Sequence, residues 1–173
     1  MSPFFKGLVV LAIHLCLVAT LGAKLLYDRA TLPRLWVSAV PYDPDLPVRG
    51  RYVSLQLIVE PRGIDESKKG SDQTSHPVSL HVENGRLLAV AVKSIPRNPS
   101  DLSVRYAKIG HEKVAVLNEP VAFYIPEHIP DPSRRNQGEQ LWVEATVPTK
   151  GIPRPIRLGV SKDGGPIVPL NIK

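Results

Sequence analysis

The stretch Arg51-Tyr52-Val53-Ser54-Leu55-Gln56-Leu57-Ile58-Val59-Glu60 decides the fold class. Val53, Leu55, Leu57 and Val59 fall on one side of an extended chain, and Tyr52, Ser54, Gln56 and Glu60 fall on the other. Side chains alternate across a strand, so a two-residue period of this length predicts a strand with one face in a core. The residues before it have the opposite character. Val40-Pro41-Tyr42-Asp43-Pro44-Asp45-Leu46-Pro47 carries three prolines and two aspartates, which neither a helix nor a central strand accommodates. Asp43-Pro44 favours an Asx-type turn, in which the carboxylate accepts from backbone N–H groups two residues on. Gly50 stands at the joint, where a bulge or a conformation closed to residues with a Cβ suits glycine. A rigid elbow over residues 41–55 therefore feeds a core strand and presents Asp43, Asp45, Arg49 and Arg51 on a surface.

The same alternation recurs on both sides of that strand. Leu35, Val37 and Ala39 alternate with Trp36 and Ser38, which predicts a first strand over 34–40. Val78–Glu83, Asn84-Gly85 and Arg86–Lys93 read as a hairpin, because both residues of a two-residue turn need positive φ and Asn-Gly supplies them. That turn pairs Glu83 with Arg86, Val82 with Leu87 and Leu80 with Ala89. Further strands are expected over 102–109 and 113–117, separated by Gly110, and over 120–127, 141–147 and 157–162. Asp163-Gly164-Gly165 then turns the chain into a last strand over 166–172. Beyond Thr31 no helical period of useful length occurs. Short strands with frequent turns predict a mainly β domain, a compact barrel or sandwich of short antiparallel strands.

The N-terminal region reads differently. Gly7–Ala23 is almost wholly apolar, with His14 and Thr20 its polar side chains and Lys6 and Lys24 at its ends. That length lies at the short end of what spans a hydrocarbon core, and the two lysines can snorkel to make up the difference. Cleavage after Ala23 places Leu21 at the −3 position, where a small residue is required, and Leu15 before Cys16 fails the lipoprotein pattern. The segment is therefore expected to remain as a signal-anchor. The chain divides into an anchor over 1–24, a short helical linker over 25–33 ended by Pro33, and a β-domain over 34–173. Within that domain, 61–77 and 131–140 are expected to be mobile polar loops.

Composition narrows the function. At 173 residues the chain has room for one sizeable core besides the anchor, and 43% hydrophobic residues exclude wholesale disorder. The 18 prolines suit edges and loops rather than long helices. A net charge of +6, with Lys68-Lys69 and Arg134-Arg135 as isolated pairs, lacks the clustered basic face that nucleic acid needs. A solvated surface near an anionic membrane accounts for it. A single cysteine, Cys16, precludes an internal disulfide and a thiolate metal site.

The candidate chemistry is thin. None of the 5 histidines has metal-ligand spacing to another, and neither a metal nor a cofactor is expected. Glu127-His128 is the best acid–base candidate, yet adjacent residues on an extended chain point to opposite faces. Ser54 with Lys93 or Lys113 is the residue set of a Ser/Lys hydrolase, but no nucleophile motif surrounds Ser54. The residues assigned to binding are Asp43, Asp45, Arg49, Arg51, Tyr52 and Glu127.

The elbow resembles the signature of a known family. Gly50-Arg51-Tyr52-Val53-Ser54-Leu55-Gln56-Leu57 is similar to the GDYXXLXY pattern, with Gly50, Tyr52 and Leu55 on its named positions. Arg51 stands where the pattern has its acid, and Leu57 where it has its final Tyr. Phe123-Tyr124-Ile125-Pro126-Glu127 and the Asp163-Gly164 hairpin with Leu170 resemble the family's second half. The resemblance covers Leu35 to the C-terminus. It implies a small bacterial protein held in the cell membrane by residues 7–23, with an extracytoplasmic β-domain beside a larger polytopic membrane protein. Two readings follow. The first is a non-catalytic accessory or interaction module; the second is a membrane-tethered hydrolase with a site near the 41–55 elbow and Glu127.

Overall fold

The computed structural model describes residues 3–42, 52–64, 75–92, 101–110, 112–126 and 128–172. The chain forms two compact units, Met1–Leu32 and Pro33–Lys173.

The first unit is one helix, α1, Pro3–Thr31. Pro3 occupies the first turn, where its missing N–H has no helical partner to lose. The Leu32 N–H donates to the Asp28 carbonyl at 2.9 Å and closes the last turn, after which Pro33 ends the helix. The helix runs unbroken past Lys24, so the expected linker over 25–33 continues the anchor in the same element. At about 1.5 Å per residue its 29 residues reach roughly 43 Å, more than a hydrocarbon core of about 30 Å. None of its residues is buried. The two polar side chains of its apolar stretch turn back onto their own helix: His14 Nδ1 lies 2.8 Å from the Val10 carbonyl, and the Thr20 hydroxyl donates to the Cys16 carbonyl at 2.7 Å. A carbonyl only accepts, so His14 Nδ1 carries the hydrogen of that bond.

The second unit is all β. Its strands are β1 (Arg34–Pro41), β2 (Tyr52–Leu57), β3 (Glu60–Arg62), β4 (His76–Glu83), β5 (Arg86–Ala91) and β6 (Leu102–Ile109), followed by β7 (Glu112–Leu117), β8 (Val121–Tyr124), β9 (Glu139–Thr146), β10 (Arg154–Lys162) and β11 (Val168–Pro169). They form a six-stranded sheet in the order β11-β10-β9-β1-β2-β8 and a five-stranded sheet in the order β3-β5-β4-β6-β7. The two curled sheets close around one core. Leu35, Val37, Leu55, Val143 and Leu158 come from the first sheet, and Leu80, Ala89, Val104 and Leu117 from the second. This is the mainly β, barrel-like domain that the alternation implies.

The deciding stretch joins the sheets. It is not a single strand over 51–60. β2 pairs with β1 and β8 in the first sheet, and the chain then crosses. The Ile58 N–H donates to the Ser38 carbonyl of β1, while Ile58 bridges Val116 of β7 and the Val59 N–H donates to the Ala115 carbonyl. β3 continues in the second sheet, parallel to β5, and is the exception to an otherwise antiparallel ladder. The crossing also corrects the position of Gln56, which alternation places on the solvent side. Gln56 is buried, and its Oε1 accepts from Arg105 Nη2 of β6 at 2.8 Å, so the second sheet covers it. A buried amide without that partner costs about 1–3 kcal/mol.

The hairpin expectation holds in its turn and its register, with the second strand ending at Ala91. β4 and β5 pair Glu83 with Arg86, Val82 with Leu87 and Leu80 with Ala89. Asn84 and Gly85 have φ of 50° and 73°, as the tight turn demands. Its charges reach the neighbouring strand as well: Arg62 of β3 pairs with Glu83 at 2.8 Å and Arg86 pairs with Glu60 at 2.9 Å. Pro61 and Arg62 therefore belong to a strand, as do His76 and Pro77, and the loop expected over 61–77 is shorter than expected. Residues 65–74 lie outside the described residues.

Candidate functional site

Most of the elbow assigned to binding, Asp43, Asp45, Arg49, Gly50 and Arg51, lies outside the described residues, as does Glu127. The chain that enters and leaves it is well defined. Pro41 pairs with Leu55, and the Tyr42 N–H donates to the Ser54 carbonyl at 2.8 Å. On the other side Tyr52 pairs with Tyr124 of β8, the edge strand of its sheet. The two rings lie 6.1 Å apart at 58°, a tilted contact that suits aromatic quadrupoles. The structure thus brings the two aromatic segments that sequence treated separately to one sheet edge. Tyr124 is 77% exposed, whereas Leu55 is fully buried. Tyr52 and Leu55 are three residues apart on a strand and so face opposite ways: Leu55 fills the core, and Tyr52 faces outward beside Tyr124.

The candidate acid–base and nucleophile residues stand as follows. His128 is exposed beside Pro126. Ser54 pairs with Ala122 in the first sheet, while Lys113 belongs to β7 in the second and lies over the Tyr106 ring at 5.9 Å. Lys93 lies outside the described residues. The Ser79 hydroxyl and His81 Nε2 are 3.1 Å apart on an exposed strand face. Among the described residues no cluster of three His, Cys, Asp or Glu side chains converges as a metal site would.

The outer face of the first sheet carries a packed cluster that the sequence did not single out. Trp36, Glu144 and Arg157 are cross-strand neighbours on β1, β9 and β10. Arg157 Nε donates to Glu144 Oε2 at 2.6 Å, and its guanidinium lies 5.8 Å from the Trp36 ring centroid. The hydrogen bond and charge of Glu144 raise the Arg157 pKa above its ordinary value. Gly159 makes room for the indole. A Cβ there meets Trp36 Cζ3 and Ile167 Cγ2, each at 2.9 Å. The cluster is cohesive, and its charges are paired within it.

The 131–140 segment, expected as a mobile loop, carries its own hydrogen bonds, and its last two residues already belong to β9. Asp131 Oδ1 accepts from the Ser133 N–H at 2.9 Å and from the Ser133 hydroxyl at 2.7 Å, an Asx turn around the buried Pro132. Burial acts to raise the Asp131 carboxyl. The two Ser133 bonds, with Arg134 and Arg135 nearby, outweigh it and hold the carboxyl below its usual range. Glu139 Oε2 accepts from the Asn136 N–H at 3.1 Å and its side-chain amide at 3.3 Å. These bonds, aided by Arg135 and Lys162, lower its pKa against a smaller opposing effect of burial. Asp163, with φ of 47°, donates its N–H to the Gly138 carbonyl at 2.9 Å and ties the loop to the terminal hairpin. The sequence signal for this turn was Asp131-Pro132-Ser133. Nothing in the local pattern announced that it meets the C-terminus.

No protein-family model, no curated protein and no solved structure matches the chain.

Proposed function

We infer that this is a single-pass membrane protein whose β-domain acts as a non-catalytic binding module for a larger membrane protein, in the manner that the GDYXXLXY resemblance implies. The observation that carries this reading is α1. Over residues 7–23 it is apolar on all sides, none of its residues is buried, and His14 and Thr20 within that stretch bond to their own helix. A bilayer is the solvent that rewards this combination, because backbone and side-chain polar groups there must be satisfied internally. Lys6 and the amino terminus favour an inside N-terminus, and Lys24, Arg29 and Arg34 oppose it; an extracytoplasmic β-domain, periplasmic where the cell has an outer membrane, is what the GDYXXLXY resemblance implies. The docking region is the elbow with Tyr52 and Tyr124, where an aromatic pair stands at a sheet edge. Aromatic side chains and open strand edges are common means of partner recognition.

The test is photocrosslinking in native membranes from a probe at position 124, with position 36 on the packed outer face as reference. Capture of a polytopic membrane protein from position 124, reduced by Arg49→Ala and Asp45→Ala, is expected. Equal capture from both positions, unchanged in the elbow variants, rejects the docking assignment.

A further inference from the structure

The β-domain contains an open cleft of about 650 Å³ between Ile129–Arg135 and the C-terminal Leu170–Ile172. That volume is within the range of small-molecule sites, about 300–1,000 Å³. Ile129, Leu170 and Ile172 give it an apolar lining, and Arg134 and Arg135 stand at its wall. A second hollow of about 360 Å³ shares Arg135 and Leu170 and adds Lys162.

The disposition of charge distinguishes this cleft from the other ionic groups of the domain. The carboxylates beside it have their oxygens engaged by the loop: Asp131 by Ser133, and Glu139 by Asn136. Arg135 is not matched in the same way. The Arg135 side chain is 21% exposed, and among the described residues the carboxylate that pairs with it, Glu139, is 3.9 Å away, beyond hydrogen-bond reach. Its Nε is buried without an acceptor among the described residues. A buried charged donor left without a partner is costly and invites an acceptor from outside. Arg157, by contrast, meets Glu144 at 2.6 Å.

We propose that this cleft binds a small amphiphilic monoanion, a carboxylate with a short apolar tail. The guanidinium of Arg135 receives the carboxylate, with Arg134 beside it, and Ile129, Leu170 and Ile172 receive the tail. Guanidinium and carboxylate are matched in planar, two-pronged hydrogen bonding. Arg134, Arg135 and the ionised Asp131 at the same wall carry a formal charge of +1 together, which one carboxylate neutralises. The proposal does not rest on the docking assignment above.

The test uses the full chain in lipid nanodiscs, with empty nanodiscs as reference, and 19F NMR titration with 4-(4-fluorophenyl)butyrate. Its neutral amide and inorganic phosphate are the comparison ligands. Saturable binding of the acid is expected, about tenfold tighter than the amide, as one charge-assisted contact provides. Arg135→Gln is expected to abolish that preference with the thermal midpoint unchanged. If Arg135→Gln impairs folding, the exposed Arg134 decides, and Arg134→Gln is expected to weaken the acid at least threefold while leaving the amide unchanged. Equal binding of acid and amide, or Arg134→Gln without effect, overturns the proposal. Phosphate displacing the acid at equal concentration overturns the monoanion assignment.

Discussion

Leucine and valine dominate both α1 and the β2 strand, yet they serve opposite ends in the two regions. In α1, Leu11, Leu15 and Leu17 are 55%, 62% and 65% exposed, whereas Leu55 and Leu57 in β2 are fully buried. The difference lies in pattern. The apolar residues of β2 recur every second position and give one face to a core. Those of α1 surround the helix, so no single packed face can satisfy them. Apolar content alone therefore does not specify a core; its period decides whether one face can be buried in the protein.

The largest effect should come from charging the helix. Leu11 and Leu15 are one turn apart, and an Asp at the centre of a membrane helix costs on the order of 2.5–3.5 kcal/mol each. Leu11→Asp with Leu15→Asp is expected to abolish membrane retention and leave the thermal midpoint of the β-domain unchanged. Retention of the double variant, measured by fractionation, breaks the comparison. Leu57→Ala does the reverse. It should cost about 2–5 kcal/mol of β-domain stability through lost burial and a cavity, while Leu17→Ala in α1 should cost that domain nothing. Thermal unfolding of the two variants side by side separates the roles.

A smaller effect is expected where packing is tight on the domain's outer face. Gly159→Val places carbon against both Trp36 and Ile167, and overpacking of this kind costs about 1–3 kcal/mol. An unchanged melting curve shows that the Trp36 cluster yields without loss.

The smallest effect concerns acid. Asp131 and Glu139 both have lowered pKa values. A depressed carboxyl contributes stability that is fully present above its unfolded value, about 3.9 for Asp and 4.3 for Glu, and is lost as pH falls through the lower folded value. Protection of the Ser133 and Asn136 amides against hydrogen exchange, corrected for intrinsic rates, should therefore fall below about pH 4. The Val143 amide, in the β9 ladder, should keep its protection. A loop that keeps its protection through that window shows that these carboxylates do not hold it.

What could be read in the sequence was local. Asn84-Gly85 specifies a turn geometry, and the turn specifies every pair of β4 and β5. Leu35, Val37 and Ala39 show their burial by alternation alone. The exchange between sheets at Ile58 was not legible, because the period of β2 runs smoothly through it and the partners Ser38 and Val116 are distant in the chain. Gln56 misled for the same reason: its burial is imposed by Arg105 and the strand that carries it. The cleft depends on Arg135 meeting Leu170 and Ile172, and neither stretch carries a pattern that points to the other. Arg134-Arg135 in the sequence is only an isolated basic pair.

The comparison rests on α1 being solvated by lipid, and alkaline carbonate extraction of membranes tests that most directly, with N-terminal sequencing of the recovered protein. The account predicts that the full chain stays in the membrane pellet with α1 intact. Release into the supernatant with a new N-terminus near Ala23 contradicts it.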